Sequence, residues 1–394
     1  MTSTKRPRQA TEFQAPIAWQ LWHHPDTGSD GWECLLYSDA TIDASRAQHA
    51  AGPFRFWANF AEPHNGMAVP RLSVRILHSA PVYEWNMAGS QTTPILAMGD
   101  NAHWSLDMTP DQELAAILSL ALGVRLRSGG LVRRFVSGGD LAGVPEMHDH
   151  RAPLLFPAPY FQTTFPQLVN ARVELAPGIQ RLETFPTLSP TAAVELTKAA
   201  REYAAALWIA DDDPQTAWLR LVTALEILAV HEQVTRTDHL GLFSEAYPEV
   251  VEALREAGGD AALPSIAHKF ASLITAGKRF RRFAVRYAPP APDSRPTDES
   301  SRVDWDDLDQ ALKTIYGLRS DFLHEGKSFP SMMVFGRPGQ DEKGQIAERP
   351  RKNTIYASGT AAWGPAQVPM YLWTFAYLVR GGLLNWWEDQ VSKK

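Results

Sequence analysis

Cysteine is almost absent: the 394 residues contain one, Cys34. A lone thiol makes no internal disulfide and no cysteine-based zinc site, so disulfide scaffolds and zinc ribbons are excluded. Long apolar runs are missing too. The most hydrophobic stretches, residues 114–124 and 370–379, fall short of the roughly 18–20 residues a membrane span needs and are expected to be buried helices. Charged residues make up only 21%, with a formal net charge of −6 that splits into −3 before residue 180 and −3 after it. Neither part is a basic arm, which argues against a broadly cationic surface for duplex nucleic acid. Nucleotide-binding glycine patterns are lacking, since SGG at 128–130 and SGGD at 137–140 match neither GxGxxG nor the Walker spacing. No GxSxG elbow occurs, and His231-Glu232 is followed by Thr235 where HExxH needs histidine.

What is present is a globular composition, 44% hydrophobic and 10% aromatic, in two regimes. Residues 1–15 read as a flexible tail with no apolar segment of a signal or anchor. With the single cysteine, this makes a cytoplasmic protein the expectation. Residues 16–180 are expected to form a β-rich domain, built from short runs such as IAWQLW, WECLLY, FRFWANF and RLSVRIL. Leu72, Val74 and Ile76 alternate with Arg71, Ser73 and Arg75, as a half-buried strand requires. Thr109-Pro110-Asp111-Gln112 starts a helix running to about Val124, and residues 137–190 read as irregular chain with one strand pair.

From residue 189 the spacing is helical. Ser189-Pro190 and Asp213-Pro214 open two antiparallel helices; shorter ones are expected over 245–256, 264–276 and 304–323, and Pro369 opens a last one that Gly381-Gly382 should weaken or kink. The predicted fold class is α+β: a β-rich N-terminal domain followed by an all-α bundle over 189–394.

The helix ending in YGLRSDFLHEG, residues 316–326, carries the candidate chemistry. Arg319 sits within an apolar stripe of Leu308, Leu312, Ile315 and Tyr316, and a guanidinium there must be paired or face a cleft. His324 follows five residues on, about 140° round an ideal helix, so the two converge only if the helix frays near Gly326. Together, imidazole and guanidinium suit metal-free RNA cleavage. The base takes the proton of a 2′-hydroxyl that attacks the neighbouring phosphate, and the cation stabilises the added charge. Spacing alone is weak support, because composition predicts about 2.6 chance Arg-x(4–6)-His matches; Arg71 with His78, on the alternating strand, is one and is set aside.

The string Tyr316-Gly-Leu-Arg319-Ser320-Asp321-Phe-Leu-His324 resembles the YxxRSxxxHG signature of the Apea-like branch of HEPN domains. The segment TAWLRLVTALEILAV, 216–230, resembles that branch's "ALE" helix, with Glu226 as its acidic residue. The resemblance covers about 190–390. It implies a HEPN-like helical bundle, a homodimer with Arg319 and His324 lining a shared cleft, and a metal-independent endoribonuclease of single-stranded RNA without cofactor, toxin-like or acting in antiphage defence. Ser320, Asp321, Tyr316 and Glu226 would support the pair. The N-terminal domain would then receive an activating ligand or a phage protein. The competing expectation is a non-catalytic dimerising sensor or adaptor. Glu325 departs from the family pattern, standing where glycine usually follows the histidine.

Two further segments bear on partners. KRFRRFAVRY, 278–287, offers Lys278, Arg279, Arg281, Arg282 and Arg286 to phosphates and its aromatics to stacked bases. The competing reading is neutralisation by residues 293–309, which carry seven acids and two arginines. Glu146, His148 and His150 invite a metal, but no matching ligand pair accompanies them; an exposed loop and no metal are expected.

Overall fold

A computed structural model describes residues 15–23, 31–43, 48–59, 68–77, 83–85, 92–94, 106, 108–135, 142–145, 150–155, 163–168, 171–232, 239–270, 275–352, 354–358 and 361–393. Of the expected tail over 1–15, residues 1–14 lie outside the described residues, as do Glu146 and His148, while Ala15 is buried against the fold and belongs to it.

The N-terminal part is built on an antiparallel sheet of six strands: β1 (Gly31–Ser38), β3 (His49–Ala51), β4 (Phe54–Ala58), β5 (Val69–Leu77), β8 (Arg127–Phe135) and β9 (Val144–Pro145), in the order β3-β4-β5-β1-β8-β9. Between these come β2 (Thr41–Asp43), which pairs in parallel with β10 (Arg172–Glu174), and the small hairpin β6 (Tyr83–Trp85) with β7 (Thr92–Pro94). Alternation of β5 holds from Leu72 onward, with Leu72, Val74 and Ile76 buried and Cys34 opposite Val74, but Arg71, expected on the open face, is buried too, at 4% exposure. That thiol is sealed in the core, and burial pushes its pKa well up. β8 is a central strand whose glycines and arginines disguise it in the sequence.

IAWQLW is not a strand. It forms α1 (Ile17–His23), because Glu113 reaches from a neighbouring helix and accepts the backbone N–H groups of Ile17 (3.1 Å) and Ala18 (2.7 Å). Glu113 lies in α2 (Pro110–Leu122), which starts at the expected Thr109 capping box and ends at Gly123 in the left-handed conformation. The last carbonyls of α2, Leu120 and Ala121, accept from Arg380 at 2.9 and 2.7 Å. The stretch read as irregular also contains a helix, α3 (Leu175–Leu182), where Gly178 allows close approach to Leu122.

The C-terminal part is helical. α4 (Pro190–Ile209) and α5 (Pro214–Ala229) run antiparallel, capped by Ser189 and Asp213 as their sequences require. Then follow α6 (His239–Ala246), α7 (Pro248–Glu256), α8 (Leu263–Lys269), α9 (Ala276–Arg286) and α10 (Leu308–Glu325). A short hairpin, β11 (Tyr356–Ser358) with β12 (Ala361–Trp363), precedes the last helix, α11 (Leu372–Ser392). The glycine pair does not interrupt α11. A Cβ at Gly381 would lie 2.4 Å from Pro289, so that glycine permits helix and loop to touch.

One hydrophobic cluster runs through both parts, from Ala18 and Val74 through Leu114 and Leu196 to Trp387. At its edge Arg125, only 2% exposed, bonds Asp39 after β1, Asp211 in the α4–α5 turn (2.9 Å each) and the carbonyl of Leu207 (2.8 Å). No helix of the described residues is long and apolar enough to cross a membrane.

Replacing Arg125 by Met leaves two buried carboxylates without their cation and should cost about 3–5 kcal/mol in urea unfolding; a loss below about 1 kcal/mol would contradict this pairing. Burial pushes Glu113 up to about 8, against the pull of its two N–H partners. The folded chain therefore keeps a proton that the unfolded chain loses above its ordinary pKa of about 4.3. Stability from this group falls as pH rises through that window and is gone above about 8. The melting temperature of wild type should drop more steeply between pH 5 and 8 than that of Glu113→Gln, and equal slopes would refute the assignment.

Candidate functional site

Helix α10 buries Leu308, Leu312 and Ile315 and lays its next turn against α5. That packing brings Arg319 to Glu226: Nη2 donates to Oε2 at 3.0 Å, while the Tyr316 hydroxyl donates to Oε1 at 3.1 Å. Both carboxylate oxygens are thus engaged. The guanidinium also lies 5.6 Å from the centre of the Tyr316 ring, within cation–π range. Burial, reinforced by the Glu226 charge and hydrogen bond, pushes the Tyr316 phenol up to about 12. The Arg319 and Glu226 side chains keep 22% and 23% of their surface exposed, so the pair sits at the rim of the bundle and not inside it.

His324 is exposed on the last turn of the same helix. The helix does not fray before it. α10 continues to Glu325, and Gly326 closes it at φ +67°, with its N–H on the Phe322 carbonyl and that of Lys327 on the Asp321 carbonyl. Regular helix between the two leaves Arg319 and His324 about 140° apart within one chain. Ser320 and Asp321 are half-buried between them. The structure therefore brings together Tyr316, Arg319 and Glu226, and leaves His324 on another face.

The basic segment forms most of α9, and its aromatics are not available for bases. Phe280, Phe283 and Tyr287 are buried on the side of the helix that faces the core, which corrects the stacking expectation. Helical spacing of 280, 283, 284 and 287 made this legible. Among the cations, Arg281 pairs with Asp309, and Arg282 and Arg286 share Glu232 at 3.4 and 3.1 Å. Lys278 is exposed and Arg279 half-buried. Neutralisation therefore comes from Glu232, just beyond the end of α5, as well as from Asp309 within the acidic stretch 293–309.

His150 accepts or shares a hydrogen bond with the Tyr37 hydroxyl at 2.9 Å. Among the described residues no group of three or more His, Cys, Asp and Glu side chains is placed to hold a metal ion. His231, weighed from sequence only against the zincin pattern, instead meets Glu195 of α4, Nε2 to Oε1 at 2.5 Å. A separation of 36 residues gave that contact no sequence signature. No protein-family model, curated protein or solved structure matches the chain.

A double-mutant cycle of Arg319→Ala and Glu226→Ala should return a coupling of about 1 kcal/mol, the scale of a partly exposed pair. Additive losses would show that the contact does not form in solution.

Proposed function

We propose that the chain is a metal-independent endoribonuclease of the HEPN type, acting on single-stranded RNA as a homodimer. The reading is carried by the Arg319–Glu226–Tyr316 cluster at the bundle rim, in the string that resembles the Apea-like signature. Glu226 holds the guanidinium by one nitrogen, and the rest of its fork remains for a phosphate. Arg319 would stabilise charge on the attacked phosphate, and His324 would act as base or acid. Because one helix separates the two by about 140°, the Arg319 of one protomer would work with the His324 of the other. Lys278, Arg279, Arg281, Arg282 and Arg286 would meet the RNA only through phosphates, without stacking. A cytoplasmic antiphage or toxin-like role, with a trigger bound at the N-terminal part, follows from the family resemblance.

A second reading has its own support. The uninterrupted helix and the paired guanidinium are what a structural helix end requires, which favours a dimerising sensor or adaptor without catalysis. Unstructured RNA offered in EDTA separates them. On the nuclease reading wild type leaves 2′,3′-cyclic phosphate ends, and His324→Ala or Arg319→Ala lowers the rate about 100-fold or more. RNA left intact by the wild-type dimer under every activating condition would leave the adaptor reading standing.

A further inference from the structure

A cavity of about 270 Å³ opens where the ends of α4, α5, α9 and α11 meet. The antiparallel turn between α4 and α5 places Glu195, on the second turn of α4, against His231, just beyond the end of α5. From α9 comes Arg286, and from the end of α11 comes Lys393. Neither Arg319 nor His324 lines this space, so a ligand here would bind whether or not that pair is catalytic.

Each base at this site is held by an acid. Glu195 takes His231. Glu232, its side chain only 8% exposed, takes Arg282 and Arg286. Asp389 takes Lys393 at 2.7 Å and the Tyr287 hydroxyl at 2.7 Å. The acids are therefore spent on orientation, while the bases keep donors in reserve. Arg286 has five N–H groups and gives one to Glu232; Lys393 has three and gives one to Asp389. Thr191 and Gln390 lie on the same wall, and the Gln390 amide gives one N–H to Asp389 at 3.5 Å and keeps the other. A surplus of donors around one hollow calls for a ligand rich in acceptor oxygens, and a phosphate offers three or four where a carboxylate offers two.

Among the groups lining the space, Arg286 of α9 and Lys393 of α11 stand against Glu195 of α4 and Glu232 just beyond α5, so cations and acids balance before His231 is counted. The volume is at the small end for ligand pockets, which run from about 300 Å³ upward. It exceeds what a bare phosphate fills, and Leu228 and Trp386 supply an apolar wall for an organic part.

We propose that this cavity binds a small phosphate-bearing molecule, its phosphate held by His231, Arg286 and Lys393 and its organic part against Leu228 and Trp386. Calorimetric titration of the full chain with inorganic phosphate and, separately, uridine 3′-monophosphate at pH 6 tests it. One-site binding is expected. Binding at pH 6 should also fall at least tenfold in His231→Gln and Arg286→Ala, and stay unchanged in Lys343→Ala, which removes a remote exposed cation. His231 is exposed, so its replacement leaves a folded protein even if Arg286→Ala does not. Tighter binding of the nucleotide identifies a phosphate ester as ligand, and equal affinities identify free phosphate. No binding of either probe at 10 mM and pH 6, or binding indifferent to both substitutions, would overturn the proposal.

Discussion

Arg125 stands between sheet and helices, with 2% of its side chain exposed and bonds to Asp39, Asp211 and the Leu207 carbonyl. Burying ions carries a large desolvation cost, which further hydrogen bonds to the paired carboxylates offset. Asp211 has them, accepting from the Thr163 hydroxyl and from the backbone and hydroxyl of Thr164, whereas Oδ1 of Asp39 is buried with no hydrogen-bond partner among the described residues. The consequence is positional. The turn between α4 and α5 is tied to the end of β1, and these two helices and the residues just after them carry Glu195, Glu226 and His231. Arg380, capping α2 from α11, makes a second tie between the same parts of the chain.

A chain with so little charge has few cations to place, and several of them are matched to an acid from a distant segment. Arg281 meets Asp309, Arg286 meets Glu232, Arg295 meets the fully buried Glu348, and Arg319 meets Glu226. Pairing of this kind works against an extended basic face. Anions would be met in local hollows, where a guanidinium is oriented by one bond to its acid and keeps the rest of its fork.

Features set by neighbours in the chain were legible without the fold. The caps at Thr109, Ser189 and Asp213 each sit before proline and a helical stripe, and each opens a helix. β5 follows its alternation from Leu72 to Leu77, and the two most apolar stretches are core helices, α2 and α11. Features set by distant partners were not. IAWQLW reads as a strand until Glu113 caps it, and β8, which no pattern in the sequence marked as a strand, is one because β1 pairs with it. Gly381 reads as a weak point until Pro289 is seen against it.

The candidate sites divide along the same line. Arg319 within an apolar stripe, five residues before His324 and needing an acid such as Glu226, is a property of helical period and composition, and the sequence by itself determined it. Tertiary structure decided the rest. It kept α10 helical through Glu325, holding Arg319 and His324 on different faces, and it turned the aromatics of α9 into the core. It also joined His231 to Glu195 and Arg286 to Glu232 around one cavity. The physical reason is that side-chain direction along one helix follows from its period, whereas contacts between helices depend on crossings that packing and a few buried ion pairs select.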